Sequence, residues 1–182
     1  MYKLLTKILL IIMNIGTVVM AIFSFCNNDF SRIATFIAIF PVLMLPFFLK
    51  KTKLKLTNFE IFLYYSFIFL ADFLGCVLNF YNLISWYDLF THFLSGIATF
   101  TLGFILLKQL NGNSKKIVNI IFCLGIVCII ALLWEMFEFG MDSITGSNLQ
   151  HNLDTGVADT MWDMIAAFVG GFISSLIYYK YS

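Results

Sequence analysis

Charge is scarce in this sequence: 12% of its 182 residues are Asp, Glu, Lys or Arg, about half the share found in an average soluble domain. Eleven basic and ten acidic side chains cannot coat a water-soluble globule of this length. Neither sign dominates, and the net charge of +1 excludes a basic nucleic-acid-binding surface and an acidic disordered tail. Proline is limited to Pro41 and Pro46, so most apolar runs are uninterrupted. The cysteines, Cys26, Cys76, Cys123 and Cys128, lack CxxC spacing. That argues against a disulfide framework or zinc ribbon, and a thiol inside an apolar run packs as a small hydrophobe. No small-residue cleavage pattern follows the first apolar run, so Lys3 and Lys7 read as the flank of a first span rather than of a signal peptide.

What the chain has instead is apolar length. Hydrophobic residues make up 61% of it, in runs at 4–25, 33–49, 61–81, 89–107, 117–141 and 160–179. Each approaches the roughly 20 residues that cross a bilayer core. The expected fold is all-α, a single integral membrane domain over 1–182 built as a six-helix transmembrane bundle. The run 33–49 holds both prolines, so a kinked or re-entrant segment is the alternative there, tolerated in lipid only where neighbours cover the freed carbonyls. Ten basic residues flank the runs on one side: Lys3, Lys7, Lys50, Lys51, Lys53, Lys55, Lys108, Lys115, Lys116 and Lys180, with Arg32 alone on the other. By the positive-inside rule both termini are cytoplasmic.

The acids take the opposite side. Glu60 is the exception, while Asp29, Asp72, Asp88, Glu135, Glu138, Asp142, Asp154, Asp159 and Asp163 all fall toward the outer end. Asp88 and His92 stand at i, i+4, Glu135 and Glu138 at i, i+3, and Asp159 and Asp163 at i, i+4, each pair sharing a helix face. Three consecutive spans thus bring ligand-type pairs to one depth, as the carboxylate-bridged bundles do with Glu and His from facing helices. Small residues continue two of these faces, Ser95, Thr99 and Gly103 after His92, and Ala166, Gly170 and Ser174 after Asp163. Such stripes let helices approach closely in lipid. Asp72, Gly75, Cys76 and Asn79 suggest a further polar stripe on the third run.

Five carboxylates at membrane depth must be protonated, solvated by a vestibule or bound to cations. Oxygen donors with one imidazole suit Mg²⁺, Mn²⁺, Fe²⁺ or Zn²⁺, with Asp88, His92, Glu135, Glu138, Asp159 and Asp163 as the candidate ligands. Each of these side chains alone could equally be a helix-interface hydrogen-bonding group, and Asp159 a helix N-terminal acid. Asp142 reads as a cap or supporting residue, Asp154 as part of a turn with Thr155 and Gly156, and His151 as a surface residue. Trp86, Tyr87, Trp134 and Trp162 fit an aromatic belt.

The segments YDLFTHFLSG, WEMFEF and DTGVADTMWDM, followed by Gly170 and Gly171, resemble the YjdF-like family of bacterial inner-membrane proteins and, more distantly, VanZ-like proteins. The resemblance implies a multi-pass protein of the bacterial cytoplasmic membrane with Asp88, His92, Glu135, Glu138, Asp159 and Asp163 as signature positions. His151, Asn152 and Leu153 depart from its pattern.

Three functions stay open. One is a metal-dependent hydrolase or transferase acting at the outer leaflet on a lipid or lipid-linked envelope substrate, with Glu135 or Asp159 as general base or bridging ligand. Beyond Arg32 the outer side has no cation to grip a phosphate, so the metal would have to do so. The second is a cation- or proton-coupled transporter, although the halves of the chain show no repeat. The third is a non-catalytic envelope protein. Ser95 and His92 share a helix without a nucleophile-elbow pattern, which disfavours a serine hydrolase. The sequence does not specify an oligomeric state.

Overall fold

The computed structural model describes residues 1–27, 42–48, 55–110, 115–146, 148–150 and 155–181. Among these it is all-helical: α1 (Tyr2–Cys26), a helical segment at 42–48, α2 (Asn58–Ile68) continuing as a π-helix (Phe69–Val77), a short α3 (Phe80–Leu83), α4 (Tyr87–Gln109), α5 (Lys116–Thr145) and α6 (Ala158–Tyr181). Among the described residues five helices are long and apolar enough to cross a membrane: α1, α2 with its π-helical continuation, α4, α5 and α6. The expected second span, 33–49, lies mostly outside the described residues, and its part at 42–48 is helical. The described residues group into two compact units, Met1–Tyr87 and Asp88–Ser182.

In the first unit, Met13, Leu43, Tyr65, Ile68, Phe73 and Val77 form the core. Gly16 on α1 lies under the Phe73 ring. Pro46 has no N–H to bond four residues back, which frees the Val42 carbonyl; the Tyr64 hydroxyl of α2 donates to that oxygen. Tyr65 donates to the next carbonyl, Leu43 O, at 2.9 Å. Neighbouring helix hydroxyls therefore cover the backbone that the proline disturbs. Thr57 and Glu60 form a reciprocal capping box at the start of α2, which accounts for the lone acid among the lysines.

The third run ends earlier than its hydropathy suggests. The wider π-helical turns, closed by Leu78 N–H donating to Phe73 O at 2.9 Å, carry the helix only to Val77, and Asn79 follows in the left-handed region at φ 65°. Asn79 thus leaves the stripe expected with Asp72, Gly75 and Cys76, because a change of helical period and a chain reversal intervene. Tyr87 donates to Leu70 O at 2.8 Å and fastens the reversal to the π-helix.

The second unit is an up-down-up bundle of α4, α5 and α6. Its apolar centre is Phe100, Cys123 and Val127, with Phe104, Leu107, Leu124 and Tyr178 around them. Each helix pair meets at a glycine. A Cβ on Gly96 of α4 would stand 1.8 Å from Ala167 O of α6, and one on Gly170 of α6 would stand 2.1 Å from Phe93 O of α4. Gly171 of α6 faces Val127 of α5, and Gly103 of α4 faces Cys123 of α5. This is the close backbone approach that small residues permit in lipid. At the end where α5 begins, Lys116 donates to Tyr179 O at 3.1 Å and Asn119 to the Tyr178 hydroxyl at 3.3 Å. Gly146, at φ 69°, ends α5 in the left-handed conformation that glycine adopts without penalty.

The crossing corrects two of the expected stripes. On α4 the buried line is His92, Gly96, Phe100 and Gly103, while Ser95 and Thr99 return their hydroxyls to their own helix at His92 O and Ser95 O. On α6 the buried line is Asp163, Ala167, Gly170, Gly171 and Ser175, with Ala166 and Ser174 only partly covered. Tight backbone contact selects the smaller residue of Ser95 and Gly96, and on α6 it turns the helix by one position.

Candidate functional site

The close crossing of α4 and α6 determines what lies beside it. Gly96 and Ala167, at the contact, each follow by four residues a polar side chain on the same face: His92 on α4 and Asp163 on α6. His92 Nε2 stands 3.5 Å from Asp88 Oδ1 and 4.0 Å from Asp163 Oδ2. One ligand atom from each of Asp88, His92 and Asp163 lies within 4.8 Å of the others. Three donors on one ion at bonds of about 2.1 Å stand about 3.0–4.2 Å apart, so the Asp88–His92 separation already fits and Asp163 would need to approach by up to about 1 Å to share a cation. His92 and Asp163 are buried and Asp88 is half-buried.

The third helix contributes from its other end. Glu135 is 96% shielded, and among the described residues neither of its carboxylate oxygens has a hydrogen-bond partner. It interacts electrostatically with His92 and Asp88, and Glu138, one turn on, with Glu135, His92 and Asp88. Glu138 Oε1 accepts a hydrogen bond from Trp134 Nε1 at 2.8 Å. Asp163 in turn feels Asp159, one turn earlier on α6. All six sequence-derived residues therefore belong to one end of the second unit. The three that close to ligand distance are Asp88, His92 and Asp163.

A polar strap holds the ends of α5 and α6. Asp142, expected as a cap or supporting residue, lies inside α5 and accepts from the backbone N–H groups of Leu149 and Gln150 at 2.7 and 3.0 Å. The Gln150 side-chain amide then donates to Glu135 O and to Thr160 Oγ1, at 3.3 and 3.2 Å. Gln150 and Thr160 also approach the Glu135 carboxylate, yet without a hydrogen bond of normal geometry. Sequence reasoning missed Gln150, Thr160 and Gly96. The signal for Gly96 was its place four residues after His92; nothing in the local sequence marks Gln150, because its partners lie on separate helices.

Other candidates fall elsewhere. Asp72 is buried in the π-helix of the first unit. Gly156 has φ 63°, in keeping with the expected turn, whereas Asp29, Arg32, His151, Asn152, Leu153 and Asp154 lie outside the described residues. Trp86, in the turn before α4, and Trp134 and Trp162 on the helices are exposed, while Tyr87 is buried against the first unit's π-helix rather than standing in a belt.

Among the described residues of the unit its lysines, Lys108, Lys115, Lys116 and Lys180, belong to the helix ends opposite these acids. An uncharacterized protein of Thermotoga maritima is 29% identical over 137 residues, a stretch that covers 72% of this chain and 63% of that protein. The chain thus spans less than two thirds of this relative's length. No solved structure matches the chain. The family described as "Predicted membrane protein (DUF2238)", with which the YjdF-like resemblance broadly agrees, matches residues 6–182, and the chain belongs to that family of membrane proteins.

Proposed function

We propose that the second unit carries a divalent-cation centre and that the protein is a metal-dependent hydrolase or transferase acting on a lipid or lipid-linked envelope substrate. The observation that carries the reading is the convergence of Asp88, His92 and Asp163, from two helices, to mutual ligand distance at a largely buried bundle end. Mixed oxygen and imidazole donors suit Mg²⁺, Mn²⁺, Fe²⁺ or Zn²⁺. The ion would polarise a phosphate or ester oxygen, since among the described residues of the unit no lysine belongs to this end. Glu135 or Asp159 is the proposed general base or bridging ligand, since both neighbour the triad without belonging to it.

Segregation of lysines and acids to opposite ends supports an acidic end facing outward in the bacterial cytoplasmic membrane, with both termini inside. The sixth span would come from the region 33–49. Elemental mass spectrometry on detergent-purified protein tests the centre. Wild type should carry stoichiometric metal, and His92→Ala and Asp163→Asn should lose it while keeping their elution profile. A metal-free wild type after growth and dialysis with each of the four metals would sink this reading, and proton-coupled transport would replace it.

A further inference from the structure

We infer that the same bundle end holds a second divalent cation, on Glu135 and Glu138 of α5 with Asp88 shared between the two ions. This rests on the reading of Asp88, His92 and Asp163 as a first cation site, and three observations extend it.

The first is Glu135. A carboxylate shielded to 96% with both oxygens lacking a hydrogen bond is a costly arrangement, since a buried polar group without a partner forfeits its hydration. The Gln150 amide bonds the Glu135 main-chain carbonyl and Thr160 Oγ1, and neither Gln150 nor Thr160 reaches the Glu135 carboxylate with normal hydrogen-bond geometry. Glu135 interacts electrostatically with His92 and Asp88 of the cluster. A cation would satisfy the two lone oxygens together.

The second is the shared neighbour. Asp88 interacts with both Glu135 and Glu138, while its Oδ1 is the atom facing His92. Its other oxygen is left for a second ion, the bridging arrangement of two-metal sites whose ions stand about 3.5–4 Å apart. Glu138 keeps Oε2 for coordination, because Trp134 occupies Oε1. The i, i+3 spacing of Glu135 and Glu138 presents both from one face of α5.

The third is charge. Asp88, Glu135, Glu138, Asp159 and Asp163 carry a formal −5 when ionised, and the lysines of this unit belong to its other end. One divalent ion leaves −3 and two leave −1. An anionic phosphate ester would be repelled by the singly loaded site and far less by the doubly loaded one.

The experiment is Mn²⁺ titration of the purified full chain, read by elemental analysis and by electron paramagnetic resonance, which reports exchange coupling between neighbouring Mn²⁺ ions. Wild type should bind about two Mn²⁺ per chain with a coupled spectrum. Glu135→Gln should bind about one with an uncoupled spectrum, and Glu138→Gln should weaken the second binding step about tenfold or more, much as loss of an outer partner weakens metal sites. Wild type that binds a single uncoupled ion, unchanged in Glu135→Gln, overturns the second site and leaves the first standing. No Mn²⁺ in wild type overturns both. If Glu135→Gln does not fold, Glu138→Gln decides: an unaltered coupled spectrum there also overturns the assignment.

Discussion

The two units hold their helices together by different means. In the first, bulky side chains fill the space between helices: Tyr65, Phe73 and Met13 form the core, and Gly16 makes room only for the edge of a ring. In the second, Gly96 and Gly170 set backbone against backbone, with the virtual Cβ of each falling about two ångströms from a carbonyl oxygen of the other helix. A ring can rotate and a carbonyl in a helix cannot. The first unit can therefore absorb local change, whereas the second fixes helix positions closely enough to bring an Asp–His pair on one helix to an Asp on another. The first unit also buries an acid, Asp72, on a π-helical turn, but among the described residues the group at mutual ligand distance is Asp88, His92 and Asp163.

Substitutions at glycine should expose this difference most strongly. Gly96→Ala and Gly170→Ala are each expected to destabilise the protein by about 3 kcal/mol or more, the upper end for overpacking, and to abolish metal binding, as seen by thermal melting in detergent and metal analysis. Gly16→Ala meets only the movable Phe73 ring and should cost about 1 kcal/mol. Equal losses in the two units would refute the contrast. Gly125, with nothing within 4 Å of a Cβ, should accept alanine with a gain of up to about 1 kcal/mol from helix propensity.

Metal linkage gives the next largest effect. Mn²⁺ at a hundred times its dissociation constant should stabilise wild type by about 2.7 kcal/mol and leave His92→Ala unmoved, a difference readable as a melting-temperature shift. The shift should shrink on acidification, because protons compete for the carboxylates and the imidazole. A shift that survives in His92→Ala would place the ion elsewhere. Gln150→Ala removes the two hydrogen bonds that tie Glu135 O to Thr160 and should cost about 1–2 kcal/mol. Thr57→Ala, which breaks the capping box of the first unit, should cost about 1 kcal/mol without touching metal binding. A metal-binding defect in Thr57→Ala would show that the first unit also shapes the site.

Much of this was legible in the residues. Long apolar runs gave the helices, and the described ends of α4, α5 and α6 lie within a few residues of the expected spans. Spacings of three and four gave the ligand pairs, and the alternating direction of consecutive spans gave their common end. Pro46 signalled a carbonyl in need of a partner, although only the fold supplied Tyr64. The polar stripe through Asn79 failed because the hydropathy of the run is blind to a π-helical change of period.

The sequence by itself determined that the chain is a helical membrane protein with carboxylates and a histidine drawn to one end, because transfer into lipid and helical periodicity act residue by residue. It left the facing surfaces ambiguous. Positions three and four after a given residue straddle the same helix face, so Ser95 and Gly96, or Ala166 and Ala167, satisfy the pattern equally. Only tertiary contact chose between them, since a carbonyl oxygen of α6 leaves space for Gly96 and for no side chain. The Gln150 strap and the solitary Glu135 carboxylate were likewise tertiary decisions, made by partners that meet only after the helices have packed.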